Sequence, residues 1–293
     1  MKIALCYDLP KDREKNDILM DRQVSFLMRN LAALGHEPIA AGFSGSPEKY
    51  SETVKKVKPD LLWNLFASFN GSVKHAYLGV LLLDDIGIAH TGSSARSALF
   101  TTDDSISRTI MADAGIPVLP HYRLGDDPPE PVHGTWHLRP VGGGMDDIPV
   151  TVADFEDLQK AIVLQSLKGE YYAERQISGL RLYISMLGTV RGLTVVGAAM
   201  EERDGSISFD TVPAELLKAA DVRGMAAKAA TVLSLHGFSM LSVSISAKGR
   251  AYVTGVDTRP PLTDDSIFCR TCERAGISGL DVLQVLIATA HKK

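Results

Sequence analysis

Tyr252-Val253-Thr254-Gly255-Val256-Asp257-Thr258-Arg259-Pro260-Pro261-Leu262-Thr263-Asp264-Asp265-Ser266 is the stretch on which the reading of this chain turns. It reads as a β-strand that runs into a Pro-rich turn and then a helix. A Lys248-Gly249 turn precedes it, and before that a partner strand spans Met240 to Ser246. The chain therefore closes on a strand pair followed by helix, and the question is what stands in front of it.

Residues 2–7 run apolar, as a buried parallel strand does, and Leu27, Met28, Leu31 and Leu34 then recur at helical spacing up to a stop at Gly35. A strand from Glu37 to Gly42, a helix from Pro47 to Val57, a strand from Leu61 to Leu65, a helix from Val73 to Asp85 and a short strand from Ile88 to His90 continue the alternation. Strand and helix in turn predict a parallel α/β sheet. Further on, Thr151 to Lys168 reads as helix, and Leu182–Leu187 and Leu193–Met200 as paired strands. Asp204-Gly205 is a tight turn into Ser206–Phe209, and Asp221 to Leu235 is an Ala-rich packing helix that ends at Gly237. A last helix, Asp281 to Ala290, offers Leu283, Val285 and Leu286 as its core stripe.

At 293 residues the chain is long enough for two or three domains. A net charge of −4 gives no electrostatic reason to expect nucleic acid or an anionic membrane as partner. The start lacks the apolar run of a signal peptide, and no apolar stretch approaches the roughly 20 residues needed to span a bilayer, so the expected location is the cytoplasm. Three cysteines are too few for a disulfide framework. Cys269-Arg270-Thr271-Cys272 falls at i and i+3 of a helix, where small core residues are the expected reading.

The closing stretch, followed by Ala275-Gly276-Ile277-Ser278, resembles the final motif of the ATP-grasp ligases of the D-alanine:D-alanine ligase type. Other words are similar to the same family in order and spacing: Pro59-Asp60-Leu61-Leu62-Trp63-Asn64-Leu65, Gly87-Ile88-Ala89-His90-Thr91-Gly92-Ser93, Ala114-Gly115-Ile116-Pro117 and Trp136-His137-Leu138-Arg139-Pro140. So do Tyr171-Tyr172-Ala173-Glu174-Arg175-Gln176-Ile177-Ser178-Gly179 and Pro213-Ala214-Glu215-Leu216. The resemblance spans nearly the whole chain. It implies an ATP-grasp fold of class α/β: an N-terminal parallel α/β domain over residues 1–96, then central (97–178) and C-terminal (179–293) α+β subdomains. It also implies ATP and magnesium as cofactors, a small-molecule ligand, and a homodimer built through the first domain.

The resemblance assigns roles residue by residue. Arg139 stands where the family has a phosphate-binding Lys, and Gly142, Gly143 and Gly144 where it has a Ser-containing phosphate loop. A triple glycine is read either as a backbone cradle for phosphate or as a plain flexible turn. Glu174 and Ile177 fall in the strand and hinge that hold adenine; Asn64, Thr263 and Ser266 fall on the substrate side; Asp257 takes the place of a magnesium-binding Asn.

The departures are as informative. The family's metal-binding Glu and Asp are Gly255 and Ser242 here, and its oxyanion-stabilising Arg is Met240. A second phosphate Lys is Asp104, which with Asp103 reads as the N-terminal cap of a helix. A ribose-binding Glu becomes Arg181, and the Lys-Tyr loop that closes over the reacting phosphate has no room between Phe209-Asp210 and Val212-Pro213. Acyl-phosphate chemistry needs magnesium held by oxygen ligands. No residue is therefore assigned as catalytic, and the expectation is a degenerate centre that binds a small ligand or partner in the interdomain cleft. The alternative is an active ATP-dependent carboxylate-amine ligase with a relocated metal site drawn from Asp257, Asp264 and Asp265.

Overall fold

The computed structural model describes residues 1–9, 15–130, 132–141, 148–189, 192–202, 204–209, 212, 217 and 221–290. The Gly142–Gly144 loop and the Pro213–Leu216 helix start expected from the sequence lie outside the described residues.

The N-terminal third alternates strand and helix because its apolar runs are short and bounded by capping residues. Strands β1 (Lys2–Asp8), β2 (Glu37–Phe43) and β3 (Leu61–Asn64) form a parallel sheet in the order β2-β1-β3. All four residues of β3 are buried, as expected of a strand covered on both faces. Helix α1 (Lys15–Ala33) covers one face and α2 (Pro47–Val57) the other, the latter started by Ser46 as N-cap and Pro47 in its first turn. The strand expected at Ile88–His90 is a single parallel bridge, Leu62 to His90. The helix expected from Val73 begins as a 3-10 turn, Val73–His75, before α3 (Ala76–Ile86). Helices α4 (Ala95–Thr102) and α5 (Asp104–Asp113) lead out of this unit.

Two antiparallel sheets follow. The first contains β4 (His121–Tyr122), β5 (Gly134–Pro140), β6 (Ile148–Val152) and β7 (Tyr171–Arg175) in the order β4-β7-β5-β6, with α6 (Phe155–Ser166) across its back. Here the expected Thr151–Lys168 helix is corrected at both ends. Thr151 and Val152 finish β6 opposite Thr135 and Gly134, and Asp154 starts α6 by accepting the N–H of Asp157 at 3.0 Å. Leu167 lies beyond the helix and is 83% exposed. The β-branched run Ile148-Pro149-Val150-Thr151-Val152 fits a pleated edge strand better than a helix.

The second sheet runs β10-β9-β8-β11-β12, from β8 (Gly179–Thr189), β9 (Gly192–Glu201), β10 (Ile207–Ser208), β11 (Phe238–Ser246) and β12 (Ala251–Asp257). Helix α7 (Val222–Val232) packs small alanines on one face, against Leu182, Ile184, Leu241 and Val243. The chain closes with α8 (Ile267–Arg274) and α9 (Gly279–Ala288), which return to the first sheet. Phe268, Val282, Leu283 and Leu286 share a core with Ile3, Leu5, Leu27 and Leu31. Val282 takes the fully buried place expected for Val285, which packs at the margin. Among the described residues no helix is long and apolar enough to cross a membrane.

Candidate functional site

The two antiparallel sheets enclose a cleft of about 800 Å³. Directly opposite residues of an antiparallel pair project to the same side, and of the rows below Arg181, Glu201 and Ser244 line the cleft. On the lower sheet three rows run across β9, β8, β11 and β12. The first is Gly197, Ser185, Met240, Asp257; the second Ala199, Tyr183, Ser242, Gly255; the third Glu201, Arg181, Ser244, Tyr252. On the upper sheet Glu174 stands between His121 and His137, and Arg139 is opposite Tyr172. Arg139, Glu174 and Ile177, expected at a nucleotide site, all line the cleft together with Arg181 and Glu201.

The upper wall is organised by a residue that sequence reading passed over. Arg108, on α5, is 1% exposed. Its guanidinium is ion-paired to Glu174, donates to the Thr254 carbonyl of β12 and to the Tyr172 hydroxyl at 3.2 Å, and lies 3.7 Å from Asp104. Arg139 holds the other oxygen of Glu174 at 3.3 Å, and Tyr172 donates to Asp104 at 3.0 Å. Burial pulls the Arg108 guanidinium down, and Glu174 and Asp104 more than reverse this, so it stays charged. Burial likewise pushes the Tyr172 hydroxyl up, keeping it a neutral donor. The signal for Arg108 was available: it sits four residues after Asp104, one helical turn on, in a helix with an inward face.

Asp103 caps α5 as expected, accepting the N–H of Ser105 at 2.9 Å, but Asp104 turns into this network instead of into solvent. At the metal positions Ser242 and Gly255 bring no carboxylate. Asp257 is half-buried; desolvation pushes its carboxyl up, and one oxygen accepts the Arg259 N–H at 2.8 Å. Asp264 and Asp265 face away, paired with Arg29 and Arg22 of α1 at 2.9 and 2.6 Å. Arg22 and the Thr263 hydroxyl hold the Asp265 carboxyl down at about 2. Among the described residues no three His, Cys, Asp or Glu side chains converge as metal ligands. The donor set does not fit magnesium, since a hard divalent ion needs several oxygens within reach.

The substrate-side residues serve the fold. Asn64 is buried, its carboxamide oxygen accepting the Phe66 N–H and its own N–H donating to Thr91, both at 3.1 Å. Ser266 caps α8, accepting the N–H of Cys269 at 3.2 Å and donating to the Thr263 carbonyl, while the Thr263 hydroxyl donates to Asp265. Cys269 and Cys272 are buried free thiols, and burial pushes Cys272 up to about 12, which makes them inert core residues.

The D-ala D-ala ligase C-terminus family matches residues 201–288. A D-alanine:D-alanine ligase of Francisella philomiragia is 23% identical over 248 residues, 81% of this chain and 82% of that protein. One from Methylacidiphilum infernorum is 24% identical over 216 residues, 70% of this chain and 71% of that protein. Among solved structures, the Bacillus anthracis ligase complexed with ATP superposes with a TM-score of 0.78 at 18% identity, covering 99% of this chain and 97% of that one. The Coxiella burnetii ligase gives 0.76 at 15% identity, covering 99% and 95%. With its two facing sheets and its parallel N-terminal unit, the chain has the ATP-grasp fold of these ligases, and its residues 201–288 match their C-terminal family.

Proposed function

We propose that this chain is a non-catalytic ATP-grasp protein that binds a small ligand in the cleft between its two antiparallel sheets without a magnesium ion. The observation that carries the reading is the paired set Met240, Ser242, Gly255 and Asp257 on β11 and β12: only Asp257 is a carboxylate, and it is engaged by the Arg259 N–H. Forming an acyl phosphate requires charge to be neutralised between the β- and γ-phosphates, and one such oxygen donor does not hold the ion that does it. Met240 also offers no donor for an oxyanion, where one missing donor typically costs about 10²- to 10³-fold.

Calorimetric titration with a non-hydrolysable ATP analogue, with and without magnesium, tests this reading, alongside ADP release over a panel of D- and L-amino acids. We expect no turnover and no magnesium dependence. Magnesium-dependent binding with ADP release in the presence of an amino acid would establish the alternative, an active carboxylate-amine ligase with displaced metal ligands. The resemblance further implies a homodimer built through the first α/β unit, for which sedimentation equilibrium gives the answer.

A further inference from the structure

Arg259 carries an inference that rests on the reading of the cleft as a metal-free ligand site. Ser244 lines the cleft, and because side chains alternate along a strand, Ser242 and Met240 share its face of β11 while Leu241, Val243 and Ile245 turn into the core behind. Asp257 stands opposite Met240 on that face, within the field of Asp104 from the upper wall. The alternation continues past the end of β12: Val256, Thr258 and Pro260 are buried, whereas Asp257 and Arg259 are half-buried. Arg259 therefore extends the same face. Burial pulls its guanidinium below the usual arginine range, and Asp257 is the charge that opposes this. Yet among the described residues no carboxylate is in ion-pair reach of that guanidinium and no acceptor meets it; only the backbone N–H is engaged, donating to Asp257 Oδ1 at 2.8 Å. Arg108, the buried arginine of the upper wall, is by contrast met by Glu174, Asp104, Tyr172 and the Thr254 carbonyl. In the row that contains Asp257, Ser185 is fully buried, and its hydroxyl has no hydrogen bond among the described residues. A cation taken out of water without a partner costs stability, so a site that keeps one is short of an anion.

We propose that Arg259 binds the carboxylate of a small organic ligand directly, with no metal ion between them, while Asp257 beside it accepts a hydrogen bond from a hydroxyl or ammonium group of the same molecule. A carboxylate matches the planar guanidinium fork with two parallel N–H···O bonds. The nearby Asp257 charge favours a singly charged anion that brings a proton donor with it.

The experiment is nitrogen-15 spectroscopy of the full chain in EDTA, over the arginine Nε–H region. The Arg259 resonance is the one missing from Arg259→Lys, and it is followed as glycolate, glycine and glycylglycine are added, with glycinamide as the probe that lacks a carboxylate. We expect a saturable shift with the three carboxylates and none with glycinamide. Read from the backbone amides, Arg259→Met should weaken binding by at least about tenfold, and Arg259→Lys, which keeps the charge without the fork, by less. Because Arg259→Met leaves Asp257 without its neighbouring charge, the double variant D257N/R259M removes both and is expected to lose binding alike. No saturable shift with any carboxylate, an equal shift with glycinamide, or undiminished binding in either folded variant overturns the proposal while leaving a metal-free cleft in place. Magnesium-dependent ATP binding with ADP release overturns the reading of the cleft as well.

Discussion

Gly255 and Ser242 face each other across β12 and β11, and a Cβ built on Gly255 would meet nothing closer than the Ser242 side chain at 3.7 Å. Neither position carries a carboxylate, and nothing else fills the space beside Gly255. Carboxylates restored there have room, so the double variant S242D/G255E is expected to fold and to bind a divalent cation together with Asp257. Manganese titration followed by electron paramagnetic resonance checks this, and no binding in the folded variant would mean that the backbone has shifted as well. Asp257 carries a second prediction. Burial raises its carboxyl in the folded state, so the folded protein holds that proton more tightly than the unfolded chain. Stability from this group is complete below the ordinary carboxylate range and falls as pH rises toward the folded value. Asp257→Asn keeps an oxygen for the Arg259 N–H, and should raise the melting temperature at pH 7 while leaving it unchanged at pH 3. At Arg108 the sign is reversed: Arg108→Met alone strands Glu174 beside a single arginine and should cost about 3–5 kcal/mol, read from denaturant unfolding.

At the scale of elements, sequence pattern located nearly every strand and helix, and failed where one local signal masked another. Thr151 and Val152 fall inside the expected helix because Phe155, Leu158 and Ile162 carry a strong helical period that masks the N-cap at Asp154. Removing that cap with Asp154→Ala should cost about 1 kcal/mol without altering β6, measurable by thermal unfolding. Register is the information that sequence withheld. Positions 242 and 255 were readable as lacking carboxylates, but that Arg181 stands opposite Glu201, or Glu174 between His121 and His137, depends on pairings fixed by turns and by bulges at Ser185 and Ser242. Arg108 was missed for a related reason. Beyond Asp104 its partners lie 64 and more residues away in sequence, and one i,i+4 pair does not by itself distinguish a buried arginine from one that snorkels to solvent.

For the whole molecule, the shared core of α1, β1, α8 and α9 bears on how the chain divides. Ile3, Leu5, Leu27 and Leu31 pack in one cluster with Phe268, Val282, Leu283 and Leu286. Leu283→Ala is therefore expected to destabilise by about 2–5 kcal/mol. A fragment of residues 1–96 keeps both covering helices but loses the buried partners supplied by Phe268, Val282, Leu283 and Leu286, and we expect it to lack the dispersed amide spectrum of a folded domain.

The same return of the last helices to the first sheet sets a schedule for biosynthesis. Residues 3–31 leave the ribosome well before residues 268–286, which share their core. At about 5–20 residues per second, the apolar face of α1 and β1 waits roughly 10–50 s for its partners. Over that interval the nascent chain carries an open hydrophobic surface that other molecules in the cell, chaperones first among them, are positioned to occupy.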